Sequence, residues 1–274
     1  MSRVSRLAAF ALFPVVIFGA GAYQLLVRDA AAPHPAMIRR DSDAHRALST
    51  DLGPRISRLV ADRPPADRSA APKLIALTFD DGPYPVETPL LLDVLEDLHV
   101  PATFFLIGRD AQQFPEITER IVRDGHEIAN HTMTHPNLDA MGPEEIKHEL
   151  DGAAEVLGRF TSGQSVRTMM RPPHGRFTEA TVVAAQHAGF HIILWTDDPG
   201  DWRTLDPEAL AAEVLDHATA PDMVLLHSGR IATVQMLPEV VARFRKAGFT
   251  FVTAGELIKA TGGEYLEHPL KLAV

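Results

Sequence analysis

The stretch Leu77-Thr78-Phe79-Asp80-Asp81-Gly82-Pro83-Tyr84-Pro85, LTFDDGPYP, sets how the rest of the chain is read. It starts as the end of a β-rich apolar run, Leu74–Phe79, then breaks into two adjacent acids and a Gly-Pro turn. Adjacent carboxylates repel each other, so a pair at the exit of a strand calls for a cation or for a division of roles. Successive side chains at a strand end diverge, which lets one site use both.

Outward from this stretch, short β-rich runs alternate with helical segments. The predicted strands are Leu74–Phe79, Thr103–Ile107, Glu127–Asn130, Arg167–Met170, His191–Trp195, Met223–Leu226 and Phe251–Thr253. A helix over Glu144–Arg159 follows Gly-Pro, and another opens at Pro207 after the N-cap type residue Asp206. Gly125 and Gly248 read as helix stops. Seven strands alternating with helices predict a parallel α/β sheet. The polar residues then fall in register: Asp80 and Asp81 after the first strand, NHTMTH (Asn130–His135) after the third, RPPHG (Arg171–Gly175) after the fourth. DDPGDW (Asp197–Trp202) follows the fifth and HSG (His227–Gly229) the sixth. In a β/α barrel these C-terminal strand ends share one face, where active sites form.

There are no cysteines and 13 histidines, so a metal site here must use His, Asp or Glu. His131 and His135 are spaced i, i+4, which on a helical turn points both imidazoles the same way. Two imidazoles and one carboxylate make a metal site with positions open for water or substrate. An isolated H-x-x-x-H is weak evidence, because surface and capping coincidences produce it. The protease pattern H-E-x-x-H is absent, with Thr132 in the Glu position. His126, His148, His187, His191 and His217 read as surface or locally hydrogen-bonded side chains. One of the paired aspartates can ligate the metal while the other stays free as a general base. Arg171 would keep that base ionised, His227 suits a general acid, and Asp201 would orient it through the other ring nitrogen. Taken singly, Arg171 and Asp201 also fit an ordinary structural ion pair.

The 274 residues are 46% hydrophobic, enough for one sizeable core, and the net charge of −10 argues against nucleic acid as a partner. Arg3 and Arg6 precede an uncharged run of 21 residues, Leu7–Val27, about the length that spans a bilayer. Residues 1–28 are therefore expected to be a signal anchor or a signal peptide cleaved at Ala20–Ala22. The continuation through Leu25, Leu26 and Val27 favours the anchor. The basic end would stay in the cytoplasm, with the catalytic part outside the inner membrane, periplasmic or secreted if cleaved. Residues 29–72, rich in Ala, Pro, Arg and Asp, read as a tether, and 73–274 as the folded domain.

Taken together, TFDDGP (Thr78–Pro83), HTMTH, RPPHG, DPGDW (Asp198–Trp202) and LLH (Leu225–His227) resemble, in order, the motifs of the polysaccharide deacetylases of carbohydrate esterase family 4, the NodB homology domain. The resemblance covers Leu74 to Ile258. It implies a distorted (β/α)7 barrel, with Asp80 as general base and Asp81, His131 and His135 as ligands of a divalent metal, Zn²⁺ or in its place Co²⁺. It also implies that Arg171 orients Asp80, that the backbone N–H of His174 serves the oxyanion, and that Asp201 orients the acid His227. Trp202 and Leu225 would wall the pocket for the acetyl methyl. The family usually carries Tyr where this chain has His174, a difference at the rim that leaves a main-chain donor in place. Asp197 beside Asp198 adds negative charge at the mouth with no assigned role.

The implied reaction is removal of N-acetyl groups from an envelope or extracellular polysaccharide, peptidoglycan or another N-acetylglucosamine polymer. Alternatives are an O-acetyl esterase on xylan-type polymers, an amide hydrolase on small cyclic molecules, and an inactive glycan-binding domain of the same fold. The last would have lost its base or acid, and both Asp80 and His227 are present.

Overall fold

From Ile75 onward every residue of β1 (Lys73–Asp80) is buried, because the strand has neighbours on both faces. The computed structural model describes residues 73–217 and 220–262. The expected membrane segment and tether lie outside them. Among the described residues no helix is long and apolar enough to cross a membrane. After β1 come α1 (Glu87–Leu98), β2 (Thr103–Leu106), α2 (Gly108–Gln113), α3 (Pro115–Arg123) and β3 (Glu127–Asn130). Then follow α4 (Pro143–Leu157), α5 (Ser165–Thr168), β4 (Met169–Met170), α6 (Glu179–His187) and β5 (His191–Ile192). The chain continues through α7 (Pro207–His217), β6 (Asp222–His227), α8 (Ile231–Lys246), β7 (Phe249–Phe251) and α9 (Ala254–Ala260).

All strand pairs are parallel. The order is β5-β4-β3-β2-β1-β6, with β7 on the start of β1. The sheet curls until Asp197, just past β5, bridges Val224 on β6. The period of two along each strand sorts the side chains. Ile75, Leu77 and Phe79 of β1, with Val224 and Leu226 of β6, pack outward against Leu91, Leu92 and Leu95 of α1 and Val240, Val241 and Phe244 of α8. Ala76, Phe105, Ala129, Ile193 and Met223 fill the inside of the curl. Thr78 and Asp80 extend that inner face toward its open end. The register sets Asp80 beside His227 on the adjacent strand.

Three predicted strands differ by two residues or more at an end. Arg167–Met170 reduces to β4, because Ser165–Thr168 forms a helical turn. His191–Trp195 reduces to β5: the carbonyls of Ile193 and Leu194 turn to the Arg171 guanidinium instead of continuing the ladder. Phe251–Thr253 becomes Phe249–Phe251, because Thr253 caps α9, its hydroxyl accepting from the Glu256 amide. Gly125 and Gly248 do stop helices, each with φ above +80°.

His148, His187, His191 and His217 are exposed as expected, but His126 is not. It is 7% exposed, lies edge-on to Phe104, and both ring nitrogens are buried with no hydrogen-bond partner among the described residues. Burial pushes its pKa down from 6.5 to about 4. Between those values the unfolded chain binds a proton that the folded chain refuses. The stabilisation is therefore complete above pH 6.5 and is lost as pH falls toward 4, about 2–3 kcal/mol over that window. Urea midpoints should fall more steeply from pH 7 to pH 4.5 in the wild type than in His126→Leu; parallel curves would refute this role.

Candidate active site

The titratable residues of the site sit at C-terminal strand ends or in the loops that follow them, and the sheet's curl brings these ends together. Asp80 is the last residue of β1 and 5% exposed. Its Oδ1 accepts a 2.6 Å hydrogen bond from Nη1 of Arg171, which is completely buried. The same Nη1 donates to Thr78 Oγ1 at 2.8 Å, while Nε and Nη2 donate to the carbonyls of Ile193 and Leu194. Phe105 lies 4.0 Å beneath the guanidinium, measured to the ring centre. Burial pulls the Arg171 pKa down, opposed by the Asp80 charge.

Asp81 leaves the strand with φ 69°. Its Oδ1 lies 3.5 Å from His131 Nε2 and 3.2 Å from His135 Nε2. Burial works to raise the Asp81 pKa, but the two imidazoles beside it, which donate to it only when protonated, and the His227 charge outweigh it and hold the carboxyl well below the usual range. The ligand atoms of these three residues all lie within 4.8 Å of one another. The 3.2 and 3.5 Å separations from Asp81 Oδ1 are those between ligands of one tetrahedral cation with bonds of about 2.0–2.2 Å. His131 Nδ1 faces the Arg171 carbonyl at 2.8 Å and so carries its hydrogen there, which leaves the Nε2 lone pair toward Asp81. The donor set thus fits a divalent metal.

The two histidines do not converge by a helical turn. Thr132 and His135 both have left-handed backbones, φ 67° and 63°. Asn130 Oδ1 accepts from the Thr132 amide and Thr132 Oγ1 from the His135 amide, so a chain of side-chain caps shapes the loop.

On the other side of Asp80, His227 Nδ1 meets Asp201 Oδ1 at 2.7 Å, and the His227 amide donates to Asp201 Oδ2 at 2.7 Å. Thr233 in the first turn of α8 donates its hydroxyl to the same Oδ2, which leaves the fully buried Asp201 well satisfied. Burial opposes the charged imidazole, but Asp201, with Asp81 and Asp80 behind it, pushes the His227 pKa up to about 9. His227 is therefore protonated at neutral pH.

The rim is formed by the remaining motifs. His174, φ 59°, turns the Pro173–Gly175 segment, and its ring meets His135 edge-on, 4.6 Å between centres. Trp202 is half-buried under Arg203, and Leu225 is buried on β6 two residues before His227, on the same strand face. Asp197 is not at the mouth. Its carboxyl is buried, and burial together with Asp222 pushes its pKa up to about 7. Sequence reasoning misses Thr78 and Thr233. Thr78 is legible, being two residues before Asp80 on one strand face. Thr233 carries no local signal.

Residues 67–193 match the family model for polysaccharide deacetylase. A peptidoglycan-N-acetylglucosamine deacetylase of Bacillus cereus is 37% identical over 192 residues, covering 68% of this chain and 89% of that one. A chitooligosaccharide deacetylase of Sinorhizobium fredii is 39% identical over 165 residues, 60% and 76% of the respective chains. The structure of the peptidoglycan deacetylase PdaC from Bacillus subtilis superposes with a TM-score of 0.64 at 27% identity, covering 70% of this chain and 93% of that one. With the curled parallel sheet, the five motifs and the donor set all in place, this chain belongs to the polysaccharide deacetylase family.

Proposed function

We propose that this chain removes N-acetyl groups from an N-acetylglucosamine polymer of the cell envelope, peptidoglycan first, and releases acetate. The observation that carries this reading is the register that sets a carboxylate and an imidazole side by side on adjacent strands next to the candidate metal ligands. Asp80 is held by a buried guanidinium and His227 by Asp201, and Asp81 of the Asp81–His131–His135 cluster directly follows Asp80. The names of the two relatives support the polymer class.

A divalent ion held by Asp81, His131 and His135, Zn²⁺ or Co²⁺, would supply Lewis acidity for the acetyl carbonyl and acidify water. Asp80 accepts the proton of the attacking water as its oxygen bonds to the carbonyl carbon. The His174 N–H stabilises the negative charge that builds on the carbonyl oxygen. His227 delivers its Nε2 proton to the nitrogen as the C–N bond breaks, leaving the sugar amine and acetate. Arg171 fixes the Asp80 carboxylate, and Trp202 and Leu225 enclose the methyl group.

Acetate release from peptidoglycan, chitin oligosaccharides and acetylxylan, with and without a chelator, tests the reading. Release from the N-acetylglucosamine polymers should vanish with the chelator and return with Zn²⁺ or Co²⁺. Undiminished turnover in metal-free protein would remove the metal from the mechanism, and release from xylan alone would replace the substrate.

The same proposal places the catalytic domain outside the cytoplasm, held by Leu7–Val27. The support is the length of that uncharged run and the arginines before it. Fractionation should find the protein in the membrane. Soluble protein beginning at Tyr23 would show a cleaved signal peptide instead, and a cytoplasmic location would remove the envelope polymer as substrate.

A further inference from the structure

Glu149, on α4, is 8% exposed, and among the described residues it makes no ion pair with Lys, Arg or His. A buried carboxylate without a cation costs several kcal/mol unless hydrogen bonds satisfy it. Its two oxygens are satisfied by one residue: Oε2 accepts the Thr134 amide at 2.8 Å and Oε1 the Thr134 hydroxyl at 2.7 Å. Thr134 immediately precedes His135. The next residue of α4, Leu150, uses its carbonyl to accept from Asn130 Nδ2 at 2.9 Å, immediately before His131. Two consecutive residues of one helix thus grip the loop next to each of its histidines.

The loop needs that grip. Thr132 and His135 sit in the left-handed region, which costs non-glycine residues on the order of 1–3 kcal/mol each. Relaxing either would swing an imidazole away from Asp81. We propose that Glu149 is a positioning residue for the metal centre, acting through Thr134 to hold His135 Nε2 toward Asp81. The inference rests on the reading of Asp81, His131 and His135 as metal ligands.

A plain structural brace and a positioning residue differ in what they change. The test is titration of Co²⁺ into the metal-stripped full-length protein, read by its visible absorption, alongside thermal unfolding of the same metal-free protein. Glu149→Ala should weaken Co²⁺ binding about 10–100-fold, the usual effect of losing a group that orients a ligand, and should change the absorption band. Glu149→Gln should lose less than Glu149→Ala, because its carbonyl still accepts the Thr134 amide and its NH₂ donates to the hydroxyl. Thr134→Val keeps one of the two bonds and should fall between them. Wild-type affinity in Glu149→Ala and Thr134→Val, with only the unfolding temperature lowered, would overturn the proposal. If Glu149→Ala does not fold, Thr134→Val decides alone on the same criterion. No Co²⁺ binding by the wild type would overturn the metal assignment and this inference with it, whereas equal affinity across the variants overturns this inference only.

Discussion

Asp80→Asn should cut acetate release about 10²–10⁴-fold while leaving metal content unchanged, and Asp81→Asn should lose the metal itself. The split follows from what each carboxylate touches. Asp80 is bonded to Arg171 and stands 3.9 Å from His131 Nε2, whereas Asp81 lies within 3.5 Å of both imidazole nitrogens. An amide at position 80 still accepts from the guanidinium but takes no proton from water. An amide at position 81 gives up the charge that draws a cation between the two histidines. Metal analysis of the purified variants beside their turnover decides the matter. Exchanged phenotypes would reverse the two roles.

His227→Ala should damage amide hydrolysis far more than hydrolysis of an activated aryl acetate. An amine leaves only when protonated, and a phenolate leaves unaided, so the loss on the amide should approach the ~10²–10⁴-fold typical of a general acid. The elevated pKa of His227, about 9, means the proton is present at neutral pH and is lost as pH rises through that value. Amide turnover should therefore decline on the alkaline side. Asp201→Asn should show the same selectivity more weakly, since it removes the charge behind the imidazole without removing the imidazole. Equal losses on both substrates in His227→Ala would assign His227 to binding or oxyanion stabilisation and send the search for the acid to His174.

The sequence shows the strand ends clearly and the loops poorly, for a physical reason. Alternation along β1 and β6 and the turn chemistry after them are local, so residue order alone places Asp80, Asp81 and His227 at strand exits. The i, i+4 spacing of His131 and His135 anticipates their convergence, but not the non-helical loop that produces it. Their loop is shaped by Asn130, Thr132 and Glu149, and Glu149 lies 15 residues past Thr134. The shortening of β5 leaves no mark on its own residues, because its cause, Arg171, belongs to a different strand end. Asp197 escapes for a related reason. Adjacency to the exposed Asp198 suggests a shared exposure, but the bridge to Val224 turns Asp197 inward.

Arg171 joins the two halves of the chemistry in one rigid group. Its guanidinium holds Asp80 and its own carbonyl holds the Nδ1 side of His131, so the proposed proton acceptor and one arm of the proposed metal site hang from a single residue. Their separation cannot be adjusted piecemeal during evolution or redesign. A lineage that sheds activity while keeping the fold loses least at Asp80 through an amide, which still accepts from Nη1, although the buried guanidinium then lacks its counter-charge. The arginine is a costlier exit, since its loss leaves Thr78 and two carbonyls just past β5 without their common donor. Inactive descendants of this domain should therefore retain the guanidinium long after they have given up the carboxylate it serves.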